Sequence, residues 1–336
     1  MRDVFAKLLL FRARKRGDYS PEILKSIGGR WMRDASPASL FACASFRRDL
    51  GRPLPRRWIS RLLKDLDRLP ARDRASALAM ILETDPNLPD RVLESALDSV
   101  PCTMPSLAHA RNQCLGRSSS RAPAAIHAQQ ALWREQLQAV LEKAIASTGI
   151  CVVGNSGALL GSGLGPQIDA RAVTIRFNHC PLDPGKPVDF GGRTDIWTAA
   201  PNFCGTVPEG ISWTIVSGPD VRFRLQDWSI FNDLSDRGIR VVTPPLSVWR
   251  GLVASLQAPP SAGILTLEWI RQMLGGWKGV SAAGIGGFGQ SAAPYHALRQ
   301  KQPPGPRHRW DLESLAVRHW QTLGLTILPS QENDAA

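Results

Sequence analysis

The sequence predicts an α/β protein: a three-layer α/β/α arrangement around a largely parallel sheet, preceded by an all-α N-terminal region. Three observations predict it. Seven short apolar runs (150–153, 173–177, 195–199, 212–216, 239–242, 280–284 and 325–328) have strand length and alternate with helical stretches. Before residue 150, the apolar residues recur at helical spacing instead. Finally, the first run passes straight into glycines at 154, 157, 161, 163 and 165, as a strand does on entering a ligand-binding turn.

Taken in order, Ser20-Pro21-Glu22 reads as an N-cap with proline at the first helical position. Trp58, Ile59, Leu62, Leu63 and Leu66 mark one face of a second helix, and 75–82 and 92–96 continue the pattern, for four or five short helices in all. Pro101, Pro105, Gly116, Ser118–Ser120 and Pro123 read as a linker over 100–123. The expected division is therefore a basic helical domain, 1–122, and an α/β domain, 123–336, entered by one long helix over about 124–147. Later helices are expected over 264–274, capped by Ser261, and over 311–323.

The chain has 336 residues, 43% hydrophobic and 21% charged, enough for a sizeable core and for two domains. Its net charge of +12 is uneven. Residues 1–120 hold 22 Lys+Arg against 13 Asp+Glu, and the remainder 19 against 16. The bland account of this excess is a solvated face. The sharper one is contact with an anionic membrane or a membrane assembly complex, with Phe5, Leu8, Leu9 and Phe11 followed by Arg12, Arg14, Lys15 and Arg16 lying in a lipid interface. No recognition motif or aromatic platform accompanies the charge, so nucleic acid is not expected. Six scattered cysteines, with no C-x-x-C, point to reduced thiols rather than a disulfide framework or a zinc site. With no signal peptide and no membrane-spanning run evident, the expected location is the cytoplasm, at most peripheral to the inner membrane face.

Glycines after a strand let backbone N–H groups approach an anion, and a helix N-terminus behind them adds its positive end; phosphate, most simply on a nucleotide, is the ligand this favours. Two common phosphate loops fail on spacing. Gly154-Asn155-Ser156-Gly157 is not G-x-G-x-x-G, the position about 20 residues on is Thr174 rather than an acid, and no G-K-[S/T] occurs.

The blocks in 151–194 resemble the large motif of glycosyltransferase family 29, the sialyltransferases. They are Cys151-Val-Val-Gly154-Asn155-Ser156-Gly157, Gln167-Ile168-Asp169, Arg176-Phe177-Asn178-His-Cys-Pro181 and Asp189-Phe-Gly-Gly-Arg193-Thr194. Pro260-Ser261-Ala262-Gly263-Ile264, with Val280 to Phe288, resembles the family's small motif, and His308-Arg-Trp-Asp-Leu-Glu313 its H-x-x-x-x-E. The third motif is reduced to Pro294-Tyr295-His296, with its order reversed, and the family's disulfide lacks its second cysteine, since Cys204 is the last in the chain. The resemblance covers about residues 148–330 and implies a soluble, bacterial-type member with a GT-A-like, Rossmann-like nucleotide-binding sheet.

What the resemblance implies for chemistry is inverting, metal-independent transfer of a sialic acid-type sugar from a CMP-sugar to a glycan or glycolipid hydroxyl. His308 would be the general base, Glu313 its companion, and Tyr295 or His296 would assist the leaving phosphate. Gly154, Asn155, Ser156, Gly157, Asn178, Ser261, Ala262 and Gly263 would hold the CMP-sugar. No metal or other cofactor is expected; the one D-x-D, Asp65-Leu-Asp67, lies far from these blocks. Arg176 and Arg193 suit phosphate clamps or structural ion pairs equally and stay outside the catalytic set. Two alternatives remain: a CMP-Kdo-dependent transferase of capsule or lipopolysaccharide assembly, and a catalytically inactive CMP-sugar-binding scaffold.

Overall fold

The computed structural model describes residues 8, 10, 11, 13, 25, 35–85, 88–100, 104–115, 121–180, 187–200, 203–218, 228–285, 297 and 305–328. The expected Ser20 helix and residues Tyr295 and His296 lie outside them.

The helical part runs through α1 (Pro37–Asp49), α2 (Arg56–Lys64), α3 (Ala71–Thr84), α4 (Asp90–Asp98) and α5 (Pro105–Leu115). Trp58, Ile59 and Leu62 are buried on α2, the face their spacing marked out. The expected linker is in part α5, which packs against α6 (Arg121–Ala128). Prolines and serines at its ends suggested a loop, but Pro105 opens the helix where its missing N–H costs nothing, and Leu107 and Ala108 are fully buried. The single long helix expected over 124–147 is likewise two, α6 and α7 (Gln130–Ile145), separated at Gln129. There Gln130 anchors the break: its side-chain amide donates to the carbonyls of Ile126 and Val241 and accepts from Thr243 N.

The sheet comprises β1 (Ile150–Val153), β2 (Val173–Phe177), β3 (Ile196–Ala199), β4 (Trp213–Val216), β5 (Arg240–Val242), β6 (Val280–Ala283) and β7 (Thr326–Ile327). Its order is β5-β4-β3-β2-β1-β6-β7 and every pairing is parallel. Between strands lie α8 (Gly165–Asp169), α9 (Pro187–Phe190), α10 (Ser229–Asp236), α11 (Leu246–Leu256), α12 (Ala262–Leu274) and α13 (Trp310–Thr322). β1 to β4 and β6 are buried along their whole length because both faces of the sheet are covered, and the polar residues they carry, such as Thr174, Arg176 and Ser281, are buried with them. On β1, Ile150 and Val152 join the main core with α7 and α12, whereas Cys151 and Val153 join a second cluster with Leu159, Ile168 and Phe190. That alternation is the three-layer arrangement.

The main core also takes in Leu40, Phe46, Leu62 and Leu78 of the helical part. Polar ties reinforce the junction: Trp249 Nε1 donates to Asp49 O at 2.9 Å, Arg250 Nε to Gly51 O at 2.7 Å, and Arg307 pairs with Asp49 at 3.7 Å. Burial drives the Cys151 thiol up to about 11, so it packs as a small hydrophobe. No helix among the described residues is long and apolar enough to cross a membrane.

Candidate active site

A parallel sheet of this kind presents its ligand crevice beyond the strands' carboxyl ends, where the winding reverses. From β1 the chain winds outward through β5, then returns to place β6 on the other side of β1. The reversal therefore falls between β1 and β6, and the residues that follow those strands are Gly154 to Gly157 and Gly284–Ile285.

The two backbones meet closely there. Gly154 N donates to Ala283 O at 2.8 Å, and a Cβ on Gly154 would overlap the Gly284 carbonyl oxygen and lie 2.8 Å from Ile285 Cγ1. Only glycine fits that position. Asn155 Nδ2 donates to Phe177 O at 2.9 Å, while its buried Oδ1 has no hydrogen-bond partner among the described residues. Ser156 Oγ accepts from Ala158 N and caps the short 3-10 turn Gly157–Leu159. Asn178, at the end of β2, has φ +47 and uses Oδ1 to accept from Ala200 N at 2.6 Å. Asparagine tolerates that left-handed backbone better than most residues, so Asn178 shapes the rim of the crevice as well as standing at it.

The later glycines do a different job from the one their number suggested. Gly161 (φ +75) and Gly163 (φ +65) turn their N–H groups onto the Asp189 carboxylate, at 2.8 and 3.1 Å. The anion in this part of the turn is thus the protein's own. The remaining blocks bind one another similarly. Asp169 accepts from Gly192 N at 2.7 Å and Arg193 N at 3.1 Å. Fully buried Arg176 donates to Arg193 O and Phe190 O, both at 2.6 Å. Arg193 spans the carbonyls of Asp169, Arg171 and Ala172 and the Asp195 carboxylate. Both arginines are structural clamps.

The opposite wall is the start of α12 with the segment entering α13. Ser261 caps α12 by accepting from Ile264 N at 3.4 Å. Ala262 and Gly263 follow, and Ile285 packs beside Gly263, its Cδ1 3.6 Å from where a Cβ would stand. Ile285 thereby links Gly154 to Gly263 and brings the two motifs to one place. Glu313, with no exposed surface, accepts from Ser261 N at 2.8 Å; its Oε2 has no partner among the described residues. Burial pushes its carboxyl up to about 7, the Ser261 N–H opposing the shift. Beyond favouring the dipole of α13, as any first-turn acid would, Glu313 fixes the cap of another helix.

His308 Nδ1 lies 2.8 Å from Pro259 O. A carbonyl only accepts, so Nδ1 carries the proton and Nε2 keeps its lone pair. Burial first, then Arg307, lowers the imidazole to about 4, leaving it neutral at pH 7. An anionic ligand nearby would raise that value again. Chemically, the crevice has backbone amides and an asparagine on one side and an unprotonated nitrogen on the other. The sequence reading missed the Asp189 carboxylate, Ile285 and the Pro259 carbonyl. Asp189 stands inside the block Asp189–Thr194, but no spacing rule indicates that it meets Gly161, and a backbone carbonyl leaves no trace in residue type.

Among the described residues no group of three or more His, Cys, Asp or Glu side chains is placed to hold a metal ion. Asp65 is engaged with Arg61 and Arg68, and Asp67 with Arg74.

Comparison with known proteins bears on the first wall. Residues 123–218 match the model of glycosyltransferase family 29 (sialyltransferase). A 45-residue stretch, 13% of the chain, is 53% identical to sialyltransferase-like protein 2 of Oryza sativa subsp. indica and spans 11% of that protein's length. A mammalian sialyltransferase crystal structure is 19% identical, with a TM-score of 0.43 over 55% of this chain and 70% of that one. A second, in complex with Gal-beta-1-3GalNAc-ortho-nitrophenol, is 20% identical with the same TM-score and coverage.

Proposed function

We propose, from the premise that residues 123–218 match the model of glycosyltransferase family 29, that the chain is a sialyltransferase-like enzyme transferring a sialic acid-type sugar from a CMP-sugar to a glycan hydroxyl. The observation that carries the reading is the meeting, at the β1/β6 reversal, of the Gly154–Gly157 turn and the Ser261–Gly263 helix start across Ile285, with His308 hydrogen-bonded to Pro259 beside it.

In this reading the CMP phosphate lies against the amides of Gly154 to Gly157 and the first turn of α12, where N–H groups and the helix dipole favour negative charge. Asn155 and Asn178 supply side-chain amides to ribose or phosphate oxygens. The acceptor hydroxyl attacks the anomeric carbon from the face opposite the phosphate. The C–O bond to CMP breaks, CMP leaves with the bonding pair, and Nε2 of His308 takes the hydroxyl proton. A base of this kind contributes about 10²–10⁴-fold. Glu313 holds the Ser261 turn and so the spacing between donor and base. Tyr295 and His296 are proposed to assist the leaving phosphate. The reaction is proposed to be metal-independent and to take place in the cytoplasm at an anionic membrane face.

The experiment is direct. Purified protein is incubated with a glycan acceptor and either CMP-sialate or CMP-Kdo, and CMP release is followed. Release with CMP-sialate supports the proposal, release with CMP-Kdo alone reassigns the donor, and release with neither leaves an inactive CMP-sugar binder. Activity should persist in EDTA; abolition by chelation would overturn the metal-free mechanism.

A further inference from the structure

The helical part carries a cationic face that the transfer chemistry does not use. Arg52, Arg56, Arg57 and Lys64 are exposed, and none has an acidic partner among the described residues. Arg57, Ser60 and Lys64 recur at i, i+3 and i+7, so they line one exposed stripe along α2. The nearby acids are already spent: Asp65 on Arg61 and Arg68, Asp67 on Arg74.

This placement works against the fold. Arg56 and Arg57 occupy the first turn of α2, no acid stands there, and Pro55 supplies no capping side chain. The helix thus sets two cations at its own positive end, where negative charge is favoured. Close by, Arg47 is held below its usual range by burial and then by Arg52. Charges arranged so, without internal compensation, are satisfied by an external anion.

The shape of the face selects the kind of anion. From Arg57 to Lys64 the stripe is about 10 Å long at the helical rise per residue, with Arg56 beside it in the first turn and Arg52 four residues earlier in the chain, so the set suits several anions rather than one phosphate. Trp58, the aromatic residue of α2, is only 4% exposed and offers no platform for a nucleic-acid base. At another place in the same part, Leu8 (43% exposed) and Phe11 (60%) project outward while Leu10 and Ala13 are buried. Exposed cations without acidic partners suit the headgroup region of an anionic bilayer, and an exposed apolar pair at i and i+3 suits its apolar side.

We infer that Arg52, Arg56, Arg57 and Lys64 form the docking surface for an anionic phospholipid bilayer. This names the face for the membrane contact proposed above and rests on that part of the reading, independently of sugar transfer. The test is sedimentation of the full chain with vesicles of equimolar phosphatidylglycerol and phosphatidylcholine, against phosphatidylcholine alone. It compares R52Q/R56Q/R57Q/K64Q with K143Q/R237Q/K278Q/R318Q, an equal loss of exposed charge elsewhere; unchanged circular dichroism and melting establish that both fold.

Each basic residue near such a surface strengthens binding by about fivefold, so removing four should weaken it by several hundred-fold at low salt. The control variant should bind like the parent, and added salt should release it. Failure of the parent to sediment with anionic vesicles would overturn the inference, as would equal loss in both variants. Capture of a duplex or single-stranded oligonucleotide through the same four residues, with vesicles ignored, would overturn it too. Sedimentation needs no donor sugar, so its outcome is separate from that of the CMP-release assay.

Discussion

The two walls of the crevice are built on different principles. The wall from 150 to 194 is held by backbone amides and compensated charges: Asp189 on Gly161 and Gly163, Asp169 on Gly192 and Arg193, Arg176 on carbonyls. The wall from 259 to 313 holds two titratable groups whose neutral forms burial favours by moving them in opposite directions, His308 down to about 4 and Glu313 up to about 7. The difference teaches a division of labour. One wall is held by fixed backbone geometry, and in the proposed function it binds the donor; the other carries the groups whose protonation state burial sets.

The sharpest way to break this comparison is His308→Ala. Transfer should fall at least about 10²-fold while CMP affinity, measured by calorimetry, stays within about twofold, since a loss of 1.4 kcal/mol would already be tenfold. Parallel loss of CMP affinity would show that the walls do not divide the work.

Next in size are the glycines of the fixed wall. Gly154→Ala should cost about 3 kcal/mol or more, because its Cβ has no free space against the Gly284 carbonyl. Gly161→Ala has open space around it and bears only the strain of φ +75, about 1–2 kcal/mol. Chemical denaturation of the two variants checks the order; equal costs would mean the close β1/β6 approach is not the constraint.

Asp189→Asn keeps the shape and removes the charge from the Gly161 and Gly163 amides. A loss of about 1.5–3 kcal/mol is expected, the range for a hydrogen bond to a charged group, with a raised donor KM. Unchanged stability would show that the carboxylate does not hold the turn.

The smallest effect concerns pH. Glu313 is raised from 4.5 to about 7, so as pH climbs between those values the unfolded chain loses its proton first and stability declines. His308 is lowered from 6.5 to about 4, so as pH falls through that window the unfolded chain gains its proton first and stability again declines. The two slopes oppose each other between about 4.5 and about 6.5. Glu313→Gln should unmask the His308 slope, stability rising by up to about 1.4 kcal/mol per pH unit over that window. Superimposable stability–pH curves for parent and variant would refute the assignment. In the parent, kcat/KM should hold well below pH 6.5 on its acid side.

Much of this was legible in the residues. All seven strands fall within one or two residues of their expected bounds, because short apolar runs between turn signals have few alternatives in a sheet covered on both faces. The blocks carrying Gly154, Asn155, Asn178, Ser261 and His308 read in order along the chain, and the strand order brings Gly154, Asn155 and Asn178 to the carboxyl ends of neighbouring strands. What could not be read was which partner satisfies which group. Gly161 and Gly154 look alike in sequence, yet one serves an internal carboxylate 28 residues away and the other a neighbouring strand. The helix over Pro105–Leu115 was hidden for a related reason: its stability comes from burial of Leu107 and Ala108 against other segments, which overrides the local breakers.

The tie from Arg307 to Asp49, beside the Trp249 and Arg250 bonds to the same turn, has a practical corollary for protein engineers. The residue before the proposed base is anchored by a helix that ends a hundred residues ahead of the first strand. A transplanted catalytic half, or a chimera swapping donor specificity between relatives, would inherit an imidazole whose neighbour had lost its counterion, unless the segment around Asp49 travelled with it.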